Sequence, residues 1–331
     1  MMSQRQADGL CNPAVTLQAR QLLGLVCVRG GAPCPLIDGG EARGVLERLA
    51  KDSTLSIRLC SNAEELAHYT ATLDRRPDPV DAFNRKRDLD VLQRLGLCPG
   101  DTRRGRYLIE LLFERIETPV GICAFDTEGW EGCELAHQGA YEGVRGRGWR
   151  EIVYCRSDEE RAEYREPNER AIAGGDRLFI RPHHLMCMSC WYNGGEASGK
   201  RPNDTLAEVL ERIQREPEVP ITLVEGPCQA CDCCDGFDPG TGRCVHACGL
   251  IRDYKKDLDV FQRTGLMPGA TLPAREMMDL LFERVASTRD ICGYGDGVVT
   301  AEEWRICGGP EGNAGYARTR ETGIFGDRQG G

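Results

Sequence analysis

The stretch DLDVLQRLGLCPGDTRRGRYLIELLFERI, from Asp88 to Ile116, returns as DLDVFQRTGLMPGATLPAREMMDLLFERV, from Asp257 to Val285. Seventeen of the twenty-nine aligned positions are identical without a gap, where average composition gives about two. The match continues upstream, where GVLERLAKDSTLSIRL (Gly44 to Leu59) parallels EVLERIQREPEVPITL (Glu208 to Leu223) and Cys27 falls opposite Cys187. It also continues downstream, where Cys123, Trp130 and Cys133 are echoed by Cys292, Trp304 and Cys307. Two copies make a domain duplication, not a solenoid.

The expected organisation is a first copy over residues 20–155, a linker at 156–176, a second copy at 177–315 and a loose tail at 316–331. The linker reading rests on RSDEERAEYREPNERAIAGGD, which is charged, then Gly-rich, with few large apolar residues. The elements can be read once for both copies. DTLAEVLERIQRE carries Leu206, Val209, Leu210 and Ile213 at helical spacing behind Asp204. PITLV reads as a strand. GLIRDYKKDLDVFQRTG presents Leu250, Tyr254, Leu258 and Phe261 on one face and ends at Gly265. Pro273 opens a helix burying Met277, Leu280, Leu281 and Val285. The expected fold is therefore a helix-rich α+β unit, present twice, with a long cysteine-rich loop between strand and helix in the second copy.

That loop, GPCQACDCCDGFDPGTGRCVHAC, places Cys228, Cys231, Cys233, Cys234, Cys244 and Cys248 within twenty-one residues. The chain has 331 residues, enough for cores that need no disulfide staples. Its start does not read as a secretory signal, and no apolar run is long enough to span a membrane. The expected location is therefore the cytoplasm, where eighteen cysteines stay thiols unless metal-bound. The net charge of −10 argues against a nucleic-acid partner. The basic segments RRGRY and RGRGWR are short and read as solvated faces.

Cys228-x2-Cys231 with Cys244-x3-Cys248 matches a two-hook zinc site. Cys228, Cys231 and Cys234 also form the C-x2-C-x2-C run of four-iron cluster binding. Adjacent Cys233 and Cys234 point opposite ways along an extended backbone, which suits two centres better than one ion. Upstream, RLFIRPHHLMCMSCWY adds His183, His184, Cys187 and Cys190. A histidine there can pack, donate to cluster sulfur, or act as an acid near substrate. The half-loop GDGVVTAEEW (295–304) does not read as a calcium site, because Cys292 and Tyr294 would fill its first and third ligand positions.

The motifs RPHHLMC, ITLVEGP, Cys231-x2-Cys234, Cys244 and Cys292…Trp304-x2-Cys307 together resemble an uncharacterised prokaryotic cysteine-rich domain family whose members are taken to bind iron–sulfur. The resemblance covers the second copy nearly end to end. It implies the shared cysteines Cys187, Cys231, Cys234 and Cys244, with Cys292 and Cys307 near the end. Cys190, Cys228, Cys233 and Cys248 are additional, the number a second four-iron cluster needs. The first copy lacks the histidine pair and the central C-x2-C. It has Cys34, Cys60, Cys98 and Cys155 instead, whose spacing does not itself support a cluster but leaves one open, and it reads as a degenerate copy. The expected cofactor is one or two [4Fe-4S] clusters, with zinc as the alternative. Three functions remain open: electron transfer with a partner redox protein, a redox enzyme using His183 or His184 beside the cluster, and a zinc-stabilised adaptor. No nucleotide motif is present.

Overall fold

The computed structural model describes residues 13–65, 79–125, 127–130, 132–192, 199–246, 253–292 and 312–325. Cys248, Cys307 and the half-loop 295–304 lie outside the described residues. The described chain is α+β, with twelve α-helices and three small sheets, in two compact units that divide between Cys155 and Arg156. No described helix is long and apolar enough to cross a membrane.

The first unit runs β1 (Val15–Gln18), α1 (Gln21–Arg29), α2 (Gly39–Leu49), β2 (Ser56–Cys60), α3 (Pro79–Leu95), β3 (Thr102–Arg104), α4 (Gly105–Arg115) and α5 (Ala140–Arg147). β1 pairs parallel with β2, and β2 pairs antiparallel with β3. Alternate residues Ile57 and Leu59 of β2 are fully buried, as a half-covered strand requires. Asp38 starts α2 by accepting the N–H groups of Gly40 and Glu41, and the helix buries Ala42, Val45 and Leu49.

The second unit runs α6 (Asp158–Gly174), β4 (Leu178–Ile180), α7 (Pro182–Tyr192), α8 (Leu206–Arg215), β5 (Pro220–Leu223), β6 (Phe237–Asp238), β7 (Arg243–Cys244), α9 (Lys255–Thr264), β8 (Thr271–Pro273), α10 (Ala274–Arg284), α11 (Arg289–Cys292) and α12 (Ala314–Thr322). β4 pairs parallel with β5, and β5 antiparallel with β8, so its three-stranded sheet has the order and directions of the first.

A fully buried carboxylate recurs at the same place in each unit. Asp88 of α3 receives the Arg20 backbone N–H (2.9 Å) and guanidinium (2.6 Å). Asp257, at the same place in the repeat, receives Arg181 through Nε (2.9 Å) and Nη2 (2.6 Å), and the backbone N–H of His183 (3.1 Å). Neither carboxylate is exposed. A second pair of interactions also recurs. The Tyr141 hydroxyl donates to Ile116 O (2.9 Å) and Arg145 Nε to Phe113 O (2.7 Å). Likewise Tyr316 donates to Val285 O (2.8 Å) and Arg320 Nε to Phe282 O (2.7 Å).

Four expectations need correction. Residues 156–176 are not a linker: Ser157 and Glu160 form a capping box, and α6 follows. Its Ile172 is buried, Arg165 pairs with Glu208 (2.8 Å), and Asn168 donates to Thr205 and Gln229. Residues 316–325 are not a loose tail: α12 docks by Tyr316, and Ile324 is fully buried. The buried face of α9 is also turned by one position from the apolar stripe. Leu258 is 44% exposed while Asp257 is fully buried, because the carboxylate, not the leucine, has partners inside. On α10, Met278 is buried where Leu280 was expected.

Candidate metal centre

The site is assembled from the N-terminal turns of α7 and from the segment between β5 and α9. Arg181 and Pro182 turn the chain out of β4 into α7, which carries His183, His184, Cys187 and Cys190. In the following loop each C-x2-C closes a turn. Cys231 N–H donates to Cys228 O, and Cys234 N–H to Cys231 O, both at 2.8 Å. The β6–β7 hairpin then returns the chain so that Cys244 and His246 stand opposite Cys234.

These elements enclose a cavity of about 540 Å³, whose lining includes Cys187, Cys190, Cys231, Cys234 and Cys244 together with His183, His184 and His246. Three groups among the described residues are able to hold a metal ion: His184 with Cys228 and Cys231, Cys234 with Asp235 and His246, and Cys244 with His246 and Asp253. Within each group the donor atoms lie within 4.8 Å of one another.

On one wall, Cys228 Sγ lies 3.9 Å from Cys231 Sγ and 3.2 Å from His184 Nδ1. Burial raises the cost of charge on Cys228, but the Cys231 thiol and Arg181 outweigh it and hold Cys228 below the ordinary thiol range. Donation to Cys228 and burial push Cys231 well up, so Cys231 holds its proton more tightly than its neighbour. On the opposite wall, His246 places Nδ1 3.4 Å from Cys244 Sγ and Nε2 3.8 Å from Cys234 Sγ, with Asp235 at 3.4 Å. Burial opposes its charge, yet Asp235, Cys234 and Cys244 overcome this and push the imidazole up to about 12. Cys244 is lowered by the same contact against its burial. The Gly236 N–H also donates to Cys234 Sγ at 3.3 Å.

His183 has a different task. Its Nδ1 meets Asp257 at 2.8 Å, and its Nε2 is 3.8 Å from Asp253. Burial takes its pKa down to about 3 and that of His184 to about 4, so both imidazoles are neutral at neutral pH. His183 thus orients the turn into α7.

The sequence-derived first set of Cys187, Cys231, Cys234 and Cys244 lines one cavity. Of the second set, Cys248 lies outside the described residues, and the other three face different surroundings. Cys228 faces Cys231 and His184, Cys190 lines the main cavity, and Cys233 turns away toward Arg165 (3.9 Å). Cys233 and Cys234 do face different ways, toward Arg165 and His246, but from a turn and not from the extended backbone expected. Cys292 is buried near Tyr316, apart from the cavity lining.

Sequence reasoning missed His246, Asp253 and Arg181. The spacing Cys244-x-His246 was a visible signal for the first. Gly236 was a second, since a Cβ there would stand 2.2 Å from the His246 ring.

Set against protein-family models, curated proteins and solved structures, the chain matches none.

Proposed function

We propose that the second unit is an iron–sulfur module and that the chain transfers electrons to or from a partner redox enzyme. The observation that carries this reading is the single cavity into which Cys187, Cys231, Cys234 and Cys244 converge from two elements far apart in sequence. A bound four-iron cluster would supply one-electron chemistry there. The residues around it suit such a group. Arg181 and Lys256 bring buried cations to the lining, which offset thiolate charge. The Gly236 N–H and the His184 ring face cysteine sulfur, contacts that tune a cluster's potential. Cys190 and Cys228 stand close enough to serve as replacement ligands or reactive thiols.

The reading extends to kinship. The recurring sheet order, buried Arg–Asp pair and tyrosine–carbonyl bond support a tandem duplication, with the second unit a member of the cysteine-rich family it resembles and the first a degenerate copy. Zinc is the second reading, favoured by the 4.8 Å compactness of each donor group, which matches one small ion. The enzyme alternative is supported less, since His183 is engaged with Asp257 and leaves His184 as the remaining histidine of that pair in the cavity.

Anaerobic purification with iron, acid-labile sulfide and zinc analysis, followed by electron paramagnetic resonance of the reduced protein, tests the proposal. About four irons and four sulfides per chain, lost in Cys231→Ser, are expected. Stoichiometric zinc without sulfide would end the iron–sulfur reading.

A further inference from the structure

Cys228 stands outside the set of Cys187, Cys231, Cys234 and Cys244, yet it lies against one of them. Its Sγ is 3.9 Å from Cys231 Sγ, and both residues carry free thiols. The backbone holds them there. The Cys231 N–H donates to Cys228 O at 2.8 Å, and Gln229–Cys231 forms a 3-10 turn. A turn closed from residue i to i+3 keeps its end Cα atoms within about 7 Å, the range a disulfide spans. The turn is itself anchored. Asn168 Nδ2 donates to Gln229 O (2.8 Å), the Phe179 N–H donates to Gln229 Oε1 (2.7 Å), and Ala230 is fully buried. Bringing the two sulfurs to bonding distance therefore takes side-chain rotation over roughly 2 Å, with the loop left in place.

The surroundings give the two thiols distinct places. Cys231 and His184 line the cavity of about 540 Å³, which a small molecule can enter, while Cys228 is 5% exposed and stands outside that lining. His184 Nδ1 lies 3.2 Å from Cys228 Sγ, so the same histidine borders both the cavity and the second thiol. The other thiols of the loop have other neighbours. Cys233 faces Arg165, and Cys234 faces His246 and the Gly236 N–H. Cys228 is thus a thiol beyond the four-cysteine set, placed to react with a member of it.

We propose that Cys228 and Cys231 form a reversible disulfide, with a low-molecular-weight disulfide as oxidant, and that this bond takes Cys231 away from the metal. The proposal rests on Cys231 being a ligand, as in the reading above, and not on which metal it holds. One thiol of the pair attacks the small disulfide R–S–S–R, which gives a mixed disulfide and one R–SH. Its neighbour, 3.9 Å away, attacks the protein sulfur of that bond, forming Cys228–Cys231 and releasing the second R–SH. Two electrons pass from the protein sulfurs to the small disulfide. Each released thiolate takes its proton from the attacking thiol or, where that sulfur was metal-bound, from solvent. A reducing dithiol reverses both steps. The site then holds metal when reduced and gives it up when oxidised.

The test uses the full-length chain purified anaerobically. Iron, sulfide and zinc are counted first, so the metal is known before any oxidant is added. The protein is then exposed to hydroxyethyl disulfide without oxygen, blocked with N-ethylmaleimide, reduced and alkylated with iodoacetamide. Fragmentation of the tryptic peptide 216–243, which carries Cys228, Cys231, Cys233 and Cys234, reads the label at each position. The expected result is joint iodoacetamide labelling of Cys228 and Cys231, with no hydroxyethyl thiol on the unreduced peptide. Metal should leave at the same rate and bind again after dithiothreitol. Cys228→Ser should lose metal at least about 10-fold more slowly, because Cys231 then has no internal thiol to complete the exchange. Pairing of Cys231 with another cysteine, a Cys228–Cys231 bond formed with the metal retained, or wild-type metal loss in folded Cys228→Ser overturns the proposal. If Cys228→Ser does not fold, the labelling and metal loss of wild type decide alone. Zinc found in place of iron and sulfide ends the iron–sulfur reading and leaves this proposal standing.

Discussion

Asp257→Ala is the most informative single substitution in the second unit. The carboxylate is fully buried, Arg181 beside it is 3% exposed, and two guanidinium bonds, one backbone N–H and the His183 ring all converge on it. Removing it strands a buried cation and leaves the His183 N–H without its acceptor. Breaking such a pair from one side costs about 3–5 kcal/mol. For a unit of this size each kcal/mol is worth about 2–4 °C, so the second unit's transition should fall by about 6–20 °C. Leu258→Ala, one residue along on the same helix, is the control. That side chain is 44% exposed, and its loss should cost less than about 0.5 kcal/mol. Differential scanning calorimetry of both variants reads the contrast. Acid provides an internal check. Burial works against the Asp257 charge, but the His183 hydrogen bond and the Arg181 guanidinium outweigh it and hold the group below the usual carboxylate value of 3.8. Its contribution is therefore complete above that pH and is lost as pH falls through the lower folded value. The gap between wild type and Asp257→Ala should narrow below about pH 4. Equal costs for Asp257→Ala and Leu258→Ala would show that the apolar stripe, and not the ion pair, fixes this helix.

The two tyrosine bonds should be energetically equivalent. Tyr141→Phe and Tyr316→Phe each remove one buried hydroxyl–carbonyl bond and should each cost about 1–3 kcal/mol in thermal or urea unfolding. A loss confined to one variant would contradict the shared architecture. His246→Ala should reduce metal affinity of the second unit by about 10–100-fold in competition with a chelator. Gly236→Ala should mimic it by displacing the ring, and full affinity in both variants would remove His246 from the site.

How far the residues announced this structure varies from element to element. The end of α9 was legible: Gly265 closes it in the left-handed conformation, as its position suggested. The helix at 158–174 was not, although Ser157 and Glu160 offered a capping signature. Its stability comes from capping, from charge pairs such as Arg165–Glu169 and from one buried isoleucine, so a search for apolar periodicity passes over it. The α9 face was misread for a related reason. Hydrophobic spacing assigns Leu258 inward, whereas the partners that bury Asp257 come from Arg181, 76 residues earlier. At the candidate metal centre, the cysteines were visible but their grouping was not. Cys228 and Cys233 are separated by a chain path that turns twice, so count alone could not assign them to one set.

The buried Arg–Asp pairs also bear on how each unit is formed. They join residues 68 positions apart in the first unit and 76 in the second. Such distant contacts are made late, after the intervening chain has collapsed enough to bring the ends together. An isolated charge is not buried before its partner arrives, so neither strand–helix turn can close alone. In the second unit the enclosed span runs from Arg181 to Asp257 and contains eight of the ten cysteines between Cys187 and Cys307. The ion pair therefore ties a loop around the thiols by means that need no metal. A nascent chain that reaches this stage holds its donors near one another, and metal capture becomes a local search within a bounded loop.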